Sequence, residues 1–164
     1  MITKSDYLKF LTCPDYFWFH KKKPGVLVAK ELNDFEKELI KSGQEVEAWG
    51  RKIFPSGVLI ESREEQAVTD TNKLIEEGKK VIFQATFETD ELYVMVDMLE
   101  WDENNQYWII NEAKGSTCDK EGENKKLHLY DAGFQYIVLK LAGYKVIFSW
   151  SVPKIEYLKS VRKF

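Results

Sequence analysis

Residues 80–114 read KVIFQATFETDELYVMVDMLEWDENNQYWIINEAK, three apolar-rich runs separated by two short polar ones. Lys80 to Thr89, Leu92 to Trp101 and Gln106 to Glu112 alternate. Thr89-Asp90-Glu91 and Asp102-Glu103-Asn104-Asn105 lie between them. Period-two runs joined by polar turns predict two hairpins and a three-stranded antiparallel meander. The pattern breaks at two acids. Tyr93, Met95, Asp97 and Leu99 share one parity, and Trp108, Ile110 and Glu112 share another that Lys114 continues. An ionised carboxylate among apolar neighbours loses much of its hydration unless a cation compensates. A divalent metal accounts for two such acids on adjacent strands. Asp97, Glu112 and the Ala113 carbonyl are the oxygen donors a hard cation takes, and Lys114 would orient or help deprotonate a water. Ordinary ion pairs that end the two strands are the alternative, because structural pairs imitate active sites.

Glu-x-Lys alone is weak, since Glu77-Gly78-Lys79 and Glu123-Asn124-Lys125 also occur. Only Glu112-Ala113-Lys114 completes an apolar strand hairpinned to another acid-bearing one.

Working outward, Thr3 and Asp6 are spaced as a capping box before Tyr7, Leu8 and Leu11, and Cys13-Pro14 interrupts that first short helix. Asp15 to His20 is aromatic-rich and expected to be helical, up to the break at Lys21-Lys22-Lys23-Pro24-Gly25. Phe35, Leu39, Val46, Trp49 and Ile53 form one helical stripe between Asn33 and Phe54. On that helix Glu45 falls on a solvated face with Lys41 and Lys52, while Glu47 lies over Gly43 and Gly50. A polar helix from Glu64 to Glu77 is closed by Gly78. After the meander, a charged loop from Gly115 to Lys126 leads to a helix from about Leu127 to Ala142 and a strand from Tyr144 to Val152.

The chain has 164 residues, 44% hydrophobic and 31% charged, which fits one domain with a substantial core. A net charge of −3 argues against phosphate binding over the whole surface, so any nucleic-acid contact is expected to be local. No apolar run reaches membrane-spanning length, and Met1 to Asp6 carries no signal-peptide stretch, so a cytoplasmic protein without membrane association is expected.

The order helix, three-stranded meander, helix, strand, with Asp97 and Glu112-Ala113-Lys114 in it, resembles the PD-(D/E)XK nuclease superfamily, and most closely its RecB-like branch. It is also similar to the N-terminal nuclease-like domain of an uncharacterised bacterial family. Thr3 to Leu8, Cys13-Pro14, Trp49 to Ile60, Val81 to Phe83, Val96-Asp97, Asn111 to Thr117 and Asp131 to Leu139 carry the likeness. It implies an α/β (α+β) fold: a restriction-endonuclease-like αβββαβ core over 33–153, its mixed central sheet flanked by helices, with an N-terminal helical extension over 1–32.

The resemblance also implies a magnesium- or manganese-dependent nuclease in which Asp97 and Glu112 bind metal and Lys114 serves the water. Glu47 would complete the site, with Glu45 as substitute, and Gln135 on the last helix would contact the site or the nucleic acid. The family's Gln-x-x-x-Tyr is not kept, because Leu139 holds its last place. Met95-Val96 stands where the superfamily's proline is expected. The implied partner is DNA, single-stranded or free-ended, with a helicase or second nuclease domain as a possible companion. A non-catalytic module that binds nucleic acid or a partner through the same fold is the alternative. Only Cys13 and Cys118 are present, so no iron–sulfur cluster is expected from this chain alone, and Cys13 reads as a buried structural thiol.

Lys4, Lys9 and Lys21 to Lys23 interleave with Tyr7, Phe10, Tyr16, Trp18 and His20. The aromatics are expected to form core under an amphipathic helix. Stacking on unpaired bases, with the lysines on phosphates, is the other reading.

Overall fold

The alternating runs form the meander they predict: β3 (Val81–Glu88), β4 (Leu92–Asp102) and β5 (Tyr107–Asn111). The computed structural model describes residues 1–27, 31–112 and 123–149. Before the meander come β1 (Ile2–Thr3), α1 (Lys4–Thr12), α2 (Pro14–Lys22), a single 3-10 turn (Pro24–Val26), α3 (Asp34–Ile53), β2 (Val58–Leu59) and α4 (Glu64–Glu76). After it come α5 (Glu123–Leu141) and β6 (Val146–Ser149).

The sheet runs β2-β3-β4-β5-β6, antiparallel at β3–β4 and β4–β5 and parallel at the two outer pairings. Parallel neighbours need a crossover, and α4 and α5 supply the two. The result is a mixed α/β fold whose described strands form one six-stranded mixed sheet flanked by helices.

β3 is buried from Val81 to Phe87, so both its faces are covered and the polar half of its alternation lies inside. Those polar groups are paired: the Thr86 N–H donates to Thr71 Oγ1 of α4 at 2.9 Å, and that hydroxyl donates to the Ala67 carbonyl at 2.7 Å. Ile82, Leu99, Ile110, Val138 and Leu139 are fully buried and form the centre of the core. At the other end of α4, Gly78 takes φ +74°, a left-handed turn that closes the helix before β3.

β1 was not anticipated. Its two residues pair in parallel with Leu92 and Tyr93 of β4. β3 occupies one edge of β4 as far as Tyr93, so β1 takes the opposite edge, which β5 leaves after Asn111 pairs with Met98. β1 runs with β4 and β5 runs against it, so the end of β1 points at the end of β5. Lys4 follows the one and Glu112 the other.

Several expectations are corrected. α5 starts at Glu123, four residues before Leu127, because Glu123 to Lys126 holds three good helix formers. Cys13 is exposed, and its Sγ caps α2 by accepting the Tyr16 N–H at 3.5 Å, with Pro14 in the first turn. No α2 residue is buried, so Tyr16 and Trp18 are not core. Only Tyr7 of the N-terminal aromatics named above packs inward, stacked on Phe134 of α5 at 5.3 Å. α3 forms as expected, yet Phe35 and Ile53, the two ends of its stripe, are exposed.

Candidate active site

Asp97 and Glu112 enter the site through the register of the meander. Met98 pairs with Asn111 and Leu99 with Ile110, so one further step sets Glu112 opposite Asp97. Directly opposed residues of an antiparallel pair project to the same face, with Cβ atoms about 5 Å apart. On the other side of β4, the pairings Phe83–Met98 and Ala85–Val96 leave Gln84 facing Asp97. Gln84 has φ +58°, a left-handed conformation that costs a non-glycine residue about 1–2 kcal/mol. Backbone strain of this kind gathers at functional sites. The row Gln84 and Asp97 therefore crosses β3 and β4 where the backbone is forced, and Glu112 follows directly after the end of β5.

α5 completes the arrangement. Gln135 is fully buried, and its Nε2 donates to Glu112 Oε2 at 2.7 Å and to Asp131 Oδ1 at 3.0 Å. Asp131 and Gln135 are four residues apart, one above the other on the helix. Lys4, at the start of α1, reaches the same two acids from the other side: its Nζ is 3.3 Å from Glu112 Oε1 and 3.1 Å from Asp131 Oδ1. The four side chains form a closed ring in which an ammonium and an amide each bridge both carboxylates. The acid side chains are 8% and 6% exposed, so water screens these contacts weakly. Gln135 Oε1 is buried without a hydrogen-bond partner among the described residues, a lone acceptor beside Glu112.

α1 is held in place so that Lys4 can do this. The Thr3 hydroxyl oxygen accepts the Asp6 N–H at 3.2 Å, while the Thr3 N–H donates to Asp6 Oδ2 at 3.0 Å, the expected capping box. Lys21 Nζ sits 2.6 Å from the same Asp6 oxygen and ties α2 to the cap. Burial pushes the Asp6 carboxyl up, but Lys21 and the two Thr3 donors outweigh it and bring it down to about 2.

Of the residues expected from the sequence, Glu112 and Gln135 are hydrogen-bonded to each other, and Asp97 is half-buried on β4, one residue before the Met98 that pairs with Asn111. Ala113 and Lys114 lie outside the described residues. Glu47 is in α3, and its side chain falls outside those described; Glu45 is exposed on the same helix. Lys4 and Asp131 were not expected at the site. The spacing Asp131-x-x-x-Gln135 was a readable signal for the second. Lys4 had none, because its place depends on a two-residue strand.

A carboxylate on β4 and one just past the end of β5, with an unpartnered amide oxygen beside the second, are an all-oxygen donor set of the kind a hard divalent cation takes. Among the described residues no three His, Cys, Asp or Glu side chains converge into a metal cage. No family model matches the chain, and no curated protein matches it. Among the described residues no helix is long and apolar enough to cross a membrane.

Proposed function

We propose that this protein is a divalent-metal-dependent nuclease of the PD-(D/E)XK type, RecB-like branch, hydrolysing DNA phosphodiester bonds within a repair, recombination or defence system. The observation that carries the reading is the Met98–Asn111 pairing, which continued by one residue would set Glu112 opposite Asp97, together with the bond from Gln135 to Glu112. The order of elements around the meander supports a restriction-endonuclease-like core over 33–153, after an N-terminal extension.

Asp97 and Glu112, with the Ala113 carbonyl and Glu47, are the residues that would hold magnesium or manganese. Such an ion, when bound, lowers the pKa of a water and neutralises charge on a phosphoryl oxygen. Gln135 donates to Glu112 Oε2 and so fixes that carboxylate, and its own Oε1 is left to accept a hydrogen bond from a water or a substrate hydroxyl. Lys114 would orient the attacking water. Lys4 holds the other Glu112 oxygen and is itself held by Asp131, so the orientation of Glu112 is set before substrate arrives.

One observation favours a second reading, a non-catalytic module that binds nucleic acid or a protein partner: both Glu112 oxygens already have protein donors, Lys4 and Gln135. Incubating linear and circular DNA with manganese separates the two. Cleavage lost in Asp97→Ala and Glu112→Ala supports the nuclease, and binding without hydrolysis supports the module.

A further inference from the structure

The α1–α2 hairpin has a composition that its own packing does not explain. Trp18 and Phe19 are 47% and 37% exposed, and no α2 residue is buried. Phe10 and Leu11, at the end of α1, are exposed as well. Large apolar side chains exposed together on one helical hairpin, with Trp18 and Phe19 in ring contact at 5.0 Å, mark an interaction surface.

The charge beside it identifies the partner. Residues 1–26 hold five lysines against two aspartates, in a chain whose net charge is −3. Lys4 and Lys21 turn inward, to Glu112 with Asp131 and to Asp6. Lys22 and Lys23 are exposed. At about 100° per residue, Trp18, Phe19 and Lys22 fall within one contiguous arc of α2, and Lys23 follows at its C-terminal cap. Lys23 Nζ lies 5.6 Å from the Trp18 ring centroid, so cation and ring already share one surface.

Trp18 and Lys22 also border a groove of about 460 Å³ that Asp90 and Glu91 line as well. Those carboxylates repel a polyanion, so the phosphates are placed on the exposed face of Lys22 and Lys23. Flat rings alternating with ammonium groups match unpaired bases and the phosphates between them. A duplex keeps its bases stacked and has no use for the rings.

We propose that this arc of α2 binds single-stranded nucleic acid, with bases stacked on Trp18 and Phe19 and phosphates paired with Lys22 and Lys23. The end of α2 that carries this surface lies beside the start of α1, where Lys21 reaches Asp6 and the Met1 carbonyl, and Lys4 at that same start reaches Glu112. The proposal deepens the nuclease reading and rests on it for the direction of the strand, which runs toward Glu112.

The test is fluorescence anisotropy of short labelled single strands, DNA and RNA in separate arms, and of a duplex, all in EDTA so that binding is read without hydrolysis. Trp18→Ser with Phe19→Ser, and Lys22→Glu with Lys23→Glu, alter exposed positions, and circular dichroism checks their fold. Each pair is expected to weaken single-strand binding about tenfold or more. The lysine pair should also lower the salt slope by about 1.4. The arm that responds identifies the sugar. Unchanged affinity in both variants, no binding by the unaltered protein, or binding of duplex alone overturns the proposal. So does loss of self-association in the aromatic pair with oligonucleotide binding intact, which would mark a protein-docking face. Variant-sensitive binding by a protein that never cleaves sinks only the catalytic reading. Cleavage with variant-insensitive binding sinks only this one.

Discussion

Replacing Lys4 by methionine keeps most of the side chain's length and removes its charge from between Glu112 and Asp131. At an effective dielectric of about 20, each contact, at 3.3 and 3.1 Å, represents roughly 5 kcal/mol of raw attraction. Desolvation of the three groups cancels most of that, and deleting one partner of a buried pair typically costs about 3–5 kcal/mol. The Lys4 side chain is 25% exposed, so water screens part of the loss, and we expect about 2–3 kcal/mol. In a chain of this size that lowers the melting temperature by about 4–12 °C.

Thermal and urea denaturation of Lys4→Met, Asp131→Asn and the double variant measure it. The closed ring requires the double variant to lose less than the sum of the singles, by about 1 kcal/mol or more. Additive losses, or a Lys4→Met protein that melts with the unaltered one, would refute the ring as a coupled unit.

Three further outcomes follow from the same geometry. Because the Asp6 carboxyl is lowered from 3.8 to about 2 in the fold, its contribution is fully present above pH 3.8 and is lost as pH falls toward 2. That drop corresponds to at most ~2.4 kcal/mol, and screening at partly exposed Lys21 reduces it to about 1–2. Asp6→Asn should therefore lower stability at pH 7 by that amount and by much less near pH 2; a pH-independent difference would contradict the assigned cause. Gln135→Leu removes the shared donor of Glu112 and Asp131 and should cost about 1–3 kcal/mol in urea denaturation. It should also slow cleavage at saturating DNA, which a purely structural glutamine would not do. Leu99→Ala, at a fully buried position in register with Ile110, should cost about 2–5 kcal/mol; a smaller loss would mean that this part of the sheet is not core.

The meander was legible because alternation is local: strand positions, turns and the in-register acids all follow from a run of about thirty residues read with a period of two. Gln135 was named through the resemblance, and the structure gives it a hydrogen bond to Glu112. What escaped the sequence depends on distant pairing. Lys4 reads as one of five N-terminal lysines until β1 pairs with β4, and a two-residue strand carries too little pattern to announce itself. The α2 aromatics misled for a related reason. Helical periodicity marks an apolar face, but it cannot say whether the rest of the chain folds over that face, and here none of it is buried. Gln84 gave no warning of its left-handed backbone, since glutamine has no preference for that region.

The central claim is that Asp97 and Glu112 act together on a metal-bound water at a phosphodiester. It is tested most directly by following cleavage of linear single-stranded DNA with manganese, using the unaltered protein beside folded Asp97→Ala and Glu112→Ala. We expect manganese-dependent cleavage that falls by about a hundredfold or more in each variant and vanishes in EDTA. Cleavage that persists at the original rate in both variants, or no cleavage by the unaltered protein with any divalent ion, would contradict it.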